Sequence, residues 1–126
     1  MNLRVGTDLV SVATVQESLG GAHRDHYLER IYTPREVGDC RGPSGRVEPE
    51  RLAARFAAKE AAIKALPGAG DGVRLTQIEL VKDATGSVEL VLSGRAAELF
   101  EESGGEQIAV SVSHEAGFAA ATVVIA

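Results

Sequence analysis

The sequence predicts an α+β domain whose mainly antiparallel sheet packs against one long alanine-rich helix. Three observations carry that expectation. Short segments near both ends alternate apolar and polar residues, the period-2 pattern of a half-buried strand. Two pairs of strand-like segments flank turn segments, Asp83-Ala84-Thr85-Gly86 and His114-Glu115-Ala116-Gly117, so they read as hairpins. Between the chain ends lies a continuous helical stretch with seven alanines between Arg51 and Leu66. Hairpins mixed with helices indicate α+β architecture.

Leu3 to Leu9 reads as a strand, with Leu3, Val5, Thr7 and Leu9 on one face and Arg4, Gly6 and Asp8 on the other. Val12, Val15 and Leu19 fall at i, i+3 and i+7, a short amphipathic helix broken by Gly20-Gly21. A second helix covers His23 to Ile31. Thr33-Pro34-Arg35-Glu36 is a capping box with Pro at the first helical position, so a third begins there. Gly42-Pro43-Ser44-Gly45-Arg46 is a loop. Pro49 opens the long helix, with Leu52, Phe56, Ile63 and Leu66 as its apolar stripe. Its alanines make it thin, so a backbone or a bulky ligand can come close.

Pro67-Gly68-Ala69-Gly70-Asp71-Gly72 ends that helix as a flexible loop. It lacks the Lys-Ser/Thr ending of a P-loop and follows a helix rather than a strand, so it reads as a turn. Leu75 to Lys82 and Ser87 to Leu92 form one hairpin. Ser93 caps a helix running to about Ser103. Gln107 to Ser113 and Phe118 to Ile125 form the second hairpin.

Composition narrows the function. A chain of 126 residues is expected to form one domain, residues 1–126. No apolar run approaches the ~20 residues of a membrane span, and the early Asp8 argues against a secretion signal. The single Cys40 fits a reducing cytoplasm. The net charge of −5 comes from residues 96–126, which hold five Glu and no base. With that charge and five aromatic residues, no nucleic-acid partner is expected. His23 and His26 share a helical face, but no third metal ligand accompanies them.

Three segments place polar groups on regular elements: Gly6-Thr7-Asp8, Arg55-Phe56-Ala57-Ala58-Lys59-Glu60-Ala61 and Ser111-Val112-Ser113-His114. Glu60 and Lys64 lie ~40° apart around the helix, on one face. Asp8 and Glu60 suit magnesium, which takes one or two protein carboxylates and fills its other positions with water and phosphate. Lys64 suits a phosphate, and His114 at a strand end could bind or polarise one. Each residue alone also has a plain structural reading. Glu60 and Lys64 fit a helix-stabilising ion pair, Asp8 fits a cap on the following turn, and His114 fits a surface turn residue.

Together, in order and spacing, the segments resemble the holo-acyl-carrier-protein synthase family of 4′-phosphopantetheinyl transferases. Gly6-Thr7-Asp8 looks like its first motif, Arg55 to Ala61 with Lys64-Ala65 its second, and Ser111 to His114 its third. Thr33-Pro34-Arg35-Glu36 and Ile78-Glu79-Leu80 also sit where the family has similar segments. The resemblance implies a phosphopantetheinyl transferase-like fold and transfer of 4′-phosphopantetheine from coenzyme A to a serine of an acyl carrier protein, releasing 3′,5′-ADP. It implies Mg2+ held by Asp8 and Glu60, a phosphate held by Lys64, and Arg55 and His114 near coenzyme A phosphates. For the serine proton the resemblance leaves two acceptors, a magnesium-bound water oriented by Asp8 or Glu60 itself. A cytoplasmic homotrimer with interfacial active sites is also implied.

The chain departs from the family at Ser11 and Thr14, where relatives usually carry an acid and a base; the base helps dock the acidic carrier. Arg24 or Arg30 could serve docking instead. Ala62 and Leu75 replace larger residues common in relatives. The alternative to an enzyme is a non-catalytic module of the same fold that binds coenzyme A or a carrier without turnover.

Overall fold

The computed structural model describes residues 2–70 and 72–126. Met1, and Asp71 of the expected glycine-rich loop, lie outside the described residues. In chain order the elements are β1 (Arg4–Ser11), α1 (Val12–Gly20), α2 (Arg24–Ile31), α3 (Pro34–Asp39), α4 (Pro49–Ala65), β2 (Ile78–Lys82), β3 (Val88–Leu92), α5 (Gly94–Glu102), β4 (Ile108–Glu115) and β5 (Phe118–Ile125). The fold is α+β, as the hairpin pattern implies. β1, β5 and β4 form an antiparallel sheet in that order, with β5 central, while β2 and β3 form a separate hairpin.

α4 is the spine of the molecule. Its alanines face the interior: Ala53, Ala57, Ala58, Ala61, Ala62 and Ala65 are all buried. One apolar cluster joins its C-terminal half to β2, β3, α5 and the sheet. A second joins its N-terminal half to α1, α2 and α3. The thin profile therefore serves close packing of backbone on these faces. Gly6 shows how close: a Cβ there would stand 2.0 Å from the Ala61 carbonyl oxygen and 2.9 Å from the Ala65 nitrogen. Only glycine lets β1 approach the helix at this point.

That contact decides which face of β1 is inside. Gly6, Asp8 and Val10 turn toward α4, and the more apolar face turns outward, leaving Val5 and Leu9 each 64% exposed. Leu3 and, on β5, Phe118 are exposed as well. The outer face of the sheet thus carries apolar side chains that no other described residue covers.

Several local expectations are met and some are corrected. Thr33 and Glu36 form the reciprocal capping box: Thr33 Oγ1 accepts from the Glu36 amide at 3.1 Å, and Glu36 Oε1 accepts from the Thr33 amide at 3.0 Å. Pro49 is the first residue of α4. Leu75–Gln77 forms a 3-10 turn, so the strand expected from Leu75 begins at Ile78. Ser93 occupies the N-cap of α5, but its side chain makes no capping hydrogen bond. His114 belongs to strand β4 rather than to the turn. The turn is Ala116-Gly117 alone, with φ of 53° and 82°, the two-residue connection whose twist suits a hairpin.

Candidate active site

Asp8 lies on β1 and Glu60 and Lys64 on α4, and the close approach at Gly6 brings these elements together. Lys64 Nζ donates to Asp8 Oδ1 and to the Thr7 carbonyl oxygen, each at 2.9 Å. Among the described residues no ion pair joins Lys64 to Glu60, so the helix-stabilising pair allowed by their spacing is not the one formed. Nor does Asp8 cap α1; Ser11 holds that N-cap position without a side-chain bond. Asp8 and Glu60 line an open cleft with Ser11, Thr14, Tyr27 and Phe56. Burial pushes the Glu60 carboxyl above its usual range, the Asp8 charge adds to the effect, and Lys64 opposes it.

This donor set fits a hard divalent cation. Burial first, and the Asp8 charge second, disfavour a second negative charge on Glu60. A cation between the two carboxylates would offset both effects. No group of three or more His, Cys, Asp or Glu is gathered among the described residues. Magnesium does not need one, since water and phosphate complete its octahedron. His23 and His26 are accordingly part of no such group.

Arg55 and His114 are not brought to this cleft. His114, at the far end of β4, accepts no core position; its Nδ1 pairs with Glu50 Oε1 at 3.0 Å. Glu50 is in the first turn of α4, ten residues before Glu60, about 15 Å along a helix rising 1.5 Å per residue. β1 and β4 are the two edges of the sheet. The predicted residues therefore divide into an Asp8–Glu60–Lys64 group at one edge and a His114 group at the other. Arg55 is 6% exposed, with Nη1 donating to the Arg51 carbonyl oxygen at 3.4 Å. Its Nε is buried and has no hydrogen-bond partner among the described residues. A buried orphan donor on a guanidinium suits an anionic partner. Nearby Cys40 is also buried, and burial pushes its thiol up to about 11, with Arg55 opposing the rise.

Beneath the site lies a buried ion pair that the apolar stripe of α4 does not announce. Lys59 and Glu36 are both 0% exposed and ion-paired at 2.5 Å. Lys59 Nζ also donates to the Ile78 and Leu75 carbonyl oxygens at 2.6 and 3.0 Å, and Glu36 Oε2 accepts from the Leu80 amide at 3.1 Å. Burial lowers the Lys59 pKa, against the raising influence of Glu36. All three ammonium protons are engaged, so Lys59 has none left for a ligand. The signal was present: Lys59 fills the gap in the stripe Leu52, Phe56, Ile63, Leu66, where a helix this deeply packed offers no water.

Carboxylates facing across a cleft with a lysine at their edge have the chemistry of a phosphoryl-group transferase. The chain belongs to the 4′-phosphopantetheinyl transferase superfamily, whose family model matches residues 4–123. It is 38% identical over 121 residues to the holo-[acyl-carrier-protein] synthase of Geotalea daltonii, covering 95% of this chain and 94% of that one. It is 39% identical over 126 residues to that of Koribacter versatilis, covering 99% and 98%. In structure it is similar to the Chronobacterium ammoniagenes ACPS–CoA complex, with a TM-score of 0.84, 32% identity and coverage of 100% and 98%. The Helicobacter pylori holo-[acyl-carrier-protein] synthase in complex with coenzyme A gives a TM-score of 0.81 at 30% identity, covering 97% and 99%.

Proposed function

We propose that this protein transfers 4′-phosphopantetheine from coenzyme A to a serine of an apo-acyl carrier protein, releasing 3′,5′-ADP, in a Mg2+-dependent reaction. The whole chain, residues 1–126, serves as one transferase domain acting in the cytoplasm. The observation that carries the reading is that Asp8 and Glu60 line one open cleft while Lys64 bonds Asp8. Full-length similarity to holo-acyl-carrier-protein synthases supports the same substrates.

In this reading Asp8 and Glu60 hold Mg2+, which supplies charge neutralisation at the pyrophosphate. Lys64 already donates two hydrogen bonds at the edge of the cleft, and a phosphate oxygen can accept from the same ammonium. Arg55 and His114 contribute further phosphate contacts. The cleft orients the pyrophosphate so that the carrier serine approaches in line, and positioning of this kind accounts for most of the catalysis in phosphoryl transfer.

The working form is a homotrimer with interfacial active sites. Two features support it. The outer sheet face presents Val5, Leu9 and Phe118 to solvent, an apolar surface of the sort that partners cover. The two residue groups sit on opposite sheet edges, so a head-to-tail ring would bring the His114 edge of one protomer beside the Asp8 edge of the next. The family resemblance puts the number at three. The test is release of 3′,5′-ADP from coenzyme A by protein, Mg2+ and a panel of apo-carriers. Binding of coenzyme A without release from any of them would favour the non-catalytic module.

A further inference from the structure

We propose that Glu50 is a positioning residue for His114: its carboxylate holds Nδ1 and leaves Nε2 facing the phosphate-bearing ligand. The inference rests on the reading of His114 as a phosphate-binding group. Four observations carry it. First, the pair joins two elements, residue 50 in the first turn of α4 and residue 114 near the end of β4, at 3.0 Å. It is not a neighbour pair along one helix.

Second, the inward row of β4 is Ile108, Val110, Val112 and His114. The first three pack against the apolar core, and His114 projects past it with its side chain 54% exposed. An imidazole at such a rim has no packing to fix its rotamer, and ordering it on binding costs entropy. A carboxylate on one ring nitrogen removes part of that cost. A carboxylate 3.0 Å from Nδ1 also favours a proton on that nitrogen over Nε2.

Third, Glu48, beside Glu50 at the start of α4, is paired with Arg51 at 3.1 Å, so Glu50 is the acid of this turn that reaches β4. The helix N-terminus also favours a carboxylate at this place. Fourth, both members are more than half exposed in the protomer. Exposed ion pairs contribute little to stability, so maintaining the fold is not what this pair is suited to do.

The test compares Glu50→Ala, Glu50→Gln, His114→Ala and the double Glu50→Ala/His114→Ala in the full chain. The readouts are coenzyme A affinity by calorimetry, KM and kcat, thermal midpoint, and the ring 15N spectrum of His114. Glu50→Ala should raise KM for coenzyme A about fivefold with kcat nearly unchanged, the pattern of lost ligand binding. Its midpoint should stay near wild type, and its His114 spectrum should shift from one protonated Nδ1 species to a tautomer mixture. Glu50→Gln, whose amide oxygen still accepts from Nδ1, should recover most of the affinity. In the His114→Ala background, Glu50→Ala should add nothing.

Independent, multiplying effects of the two substitutions would overturn the proposal, as would an unchanged KM in Glu50→Ala when His114→Ala raises it. If His114→Ala leaves coenzyme A affinity unaltered, the phosphate-binding reading of His114 fails and takes the inference with it. Transfer by the wild-type protein is scored separately, so failure of the proposed reaction is distinguishable from both.

Discussion

Lys64 Nζ bonds Asp8 Oδ1 at 2.9 Å, across two elements, although Glu60 stands one turn behind it on its own helix. The pairing separates the charges of α4 by task. Glu60 keeps a carboxyl that no lysine bonds, in a half-buried position beside a second carboxylate. Lys64 ties the helix to β1 next to the place where Gly6 lets the two backbones close.

Glu60→Gln should abolish transfer and leave the fold intact. The carboxyl is raised above its ordinary 4.5 by burial and by Asp8, so the folded state binds a proton that the unfolded state releases first. Its contribution is then fully present below the unfolded value and lost as pH rises through the folded one. In EDTA at pH 7, Glu60→Gln should melt no lower than wild type and as much as a few degrees higher. Between pH 4 and neutrality, wild type should lose stability relative to the variant. Calorimetric melts at both pH values check the sign.

Gly6→Ala should destabilise the protein by about 3 kcal/mol, because the added methyl meets backbone rather than a flexible side chain. It should also depress transfer in whatever fraction stays folded, since β1 carries Asp8 and α4 carries Glu60. Urea unfolding and rates corrected for folded fraction separate the two effects.

Lys59→Met should cost about 3–5 kcal/mol, since it leaves Glu36 as a buried charge without its partner. Combining it with Glu36→Gln should cost less than the sum of the single losses, because the pair acts as a unit. Equilibrium denaturation of the three variants measures the coupling.

Val5→Lys with Phe118→Lys places two charges on the exposed outer face of the sheet. Protomer secondary structure should be unchanged by circular dichroism. Light scattering should report loss of the proposed trimer, and transfer should fall with it.

Much of this architecture was legible locally. Pro49, the Thr33–Glu36 box and the Gly20-Gly21 break speak through short-range chemistry and set the helix bounds closely. The strand alternation was equally readable, yet it did not say which face of β1 would be buried. Gly6 decided that, through a contact with Ala61 far along the chain. The same limit applies to the site. Asp8, Glu60 and Lys64 meet because of that packing, while His114 and Glu50 meet at the other sheet edge. Spacing along the chain could not distinguish one group from two. Lys59 was hidden for the related reason that a charge in an apolar stripe finds its partner, Glu36, only in three dimensions.

The most direct test of the central claim is the intact mass of an apo-acyl carrier protein after incubation with this protein, coenzyme A and Mg2+. Wild type should add one phosphopantetheine to the carrier serine, and Glu60→Gln or excess EDTA should leave the carrier mass unchanged. An unchanged mass across acyl, polyketide and peptide carriers would contradict it, as would an equal gain with Glu60→Gln.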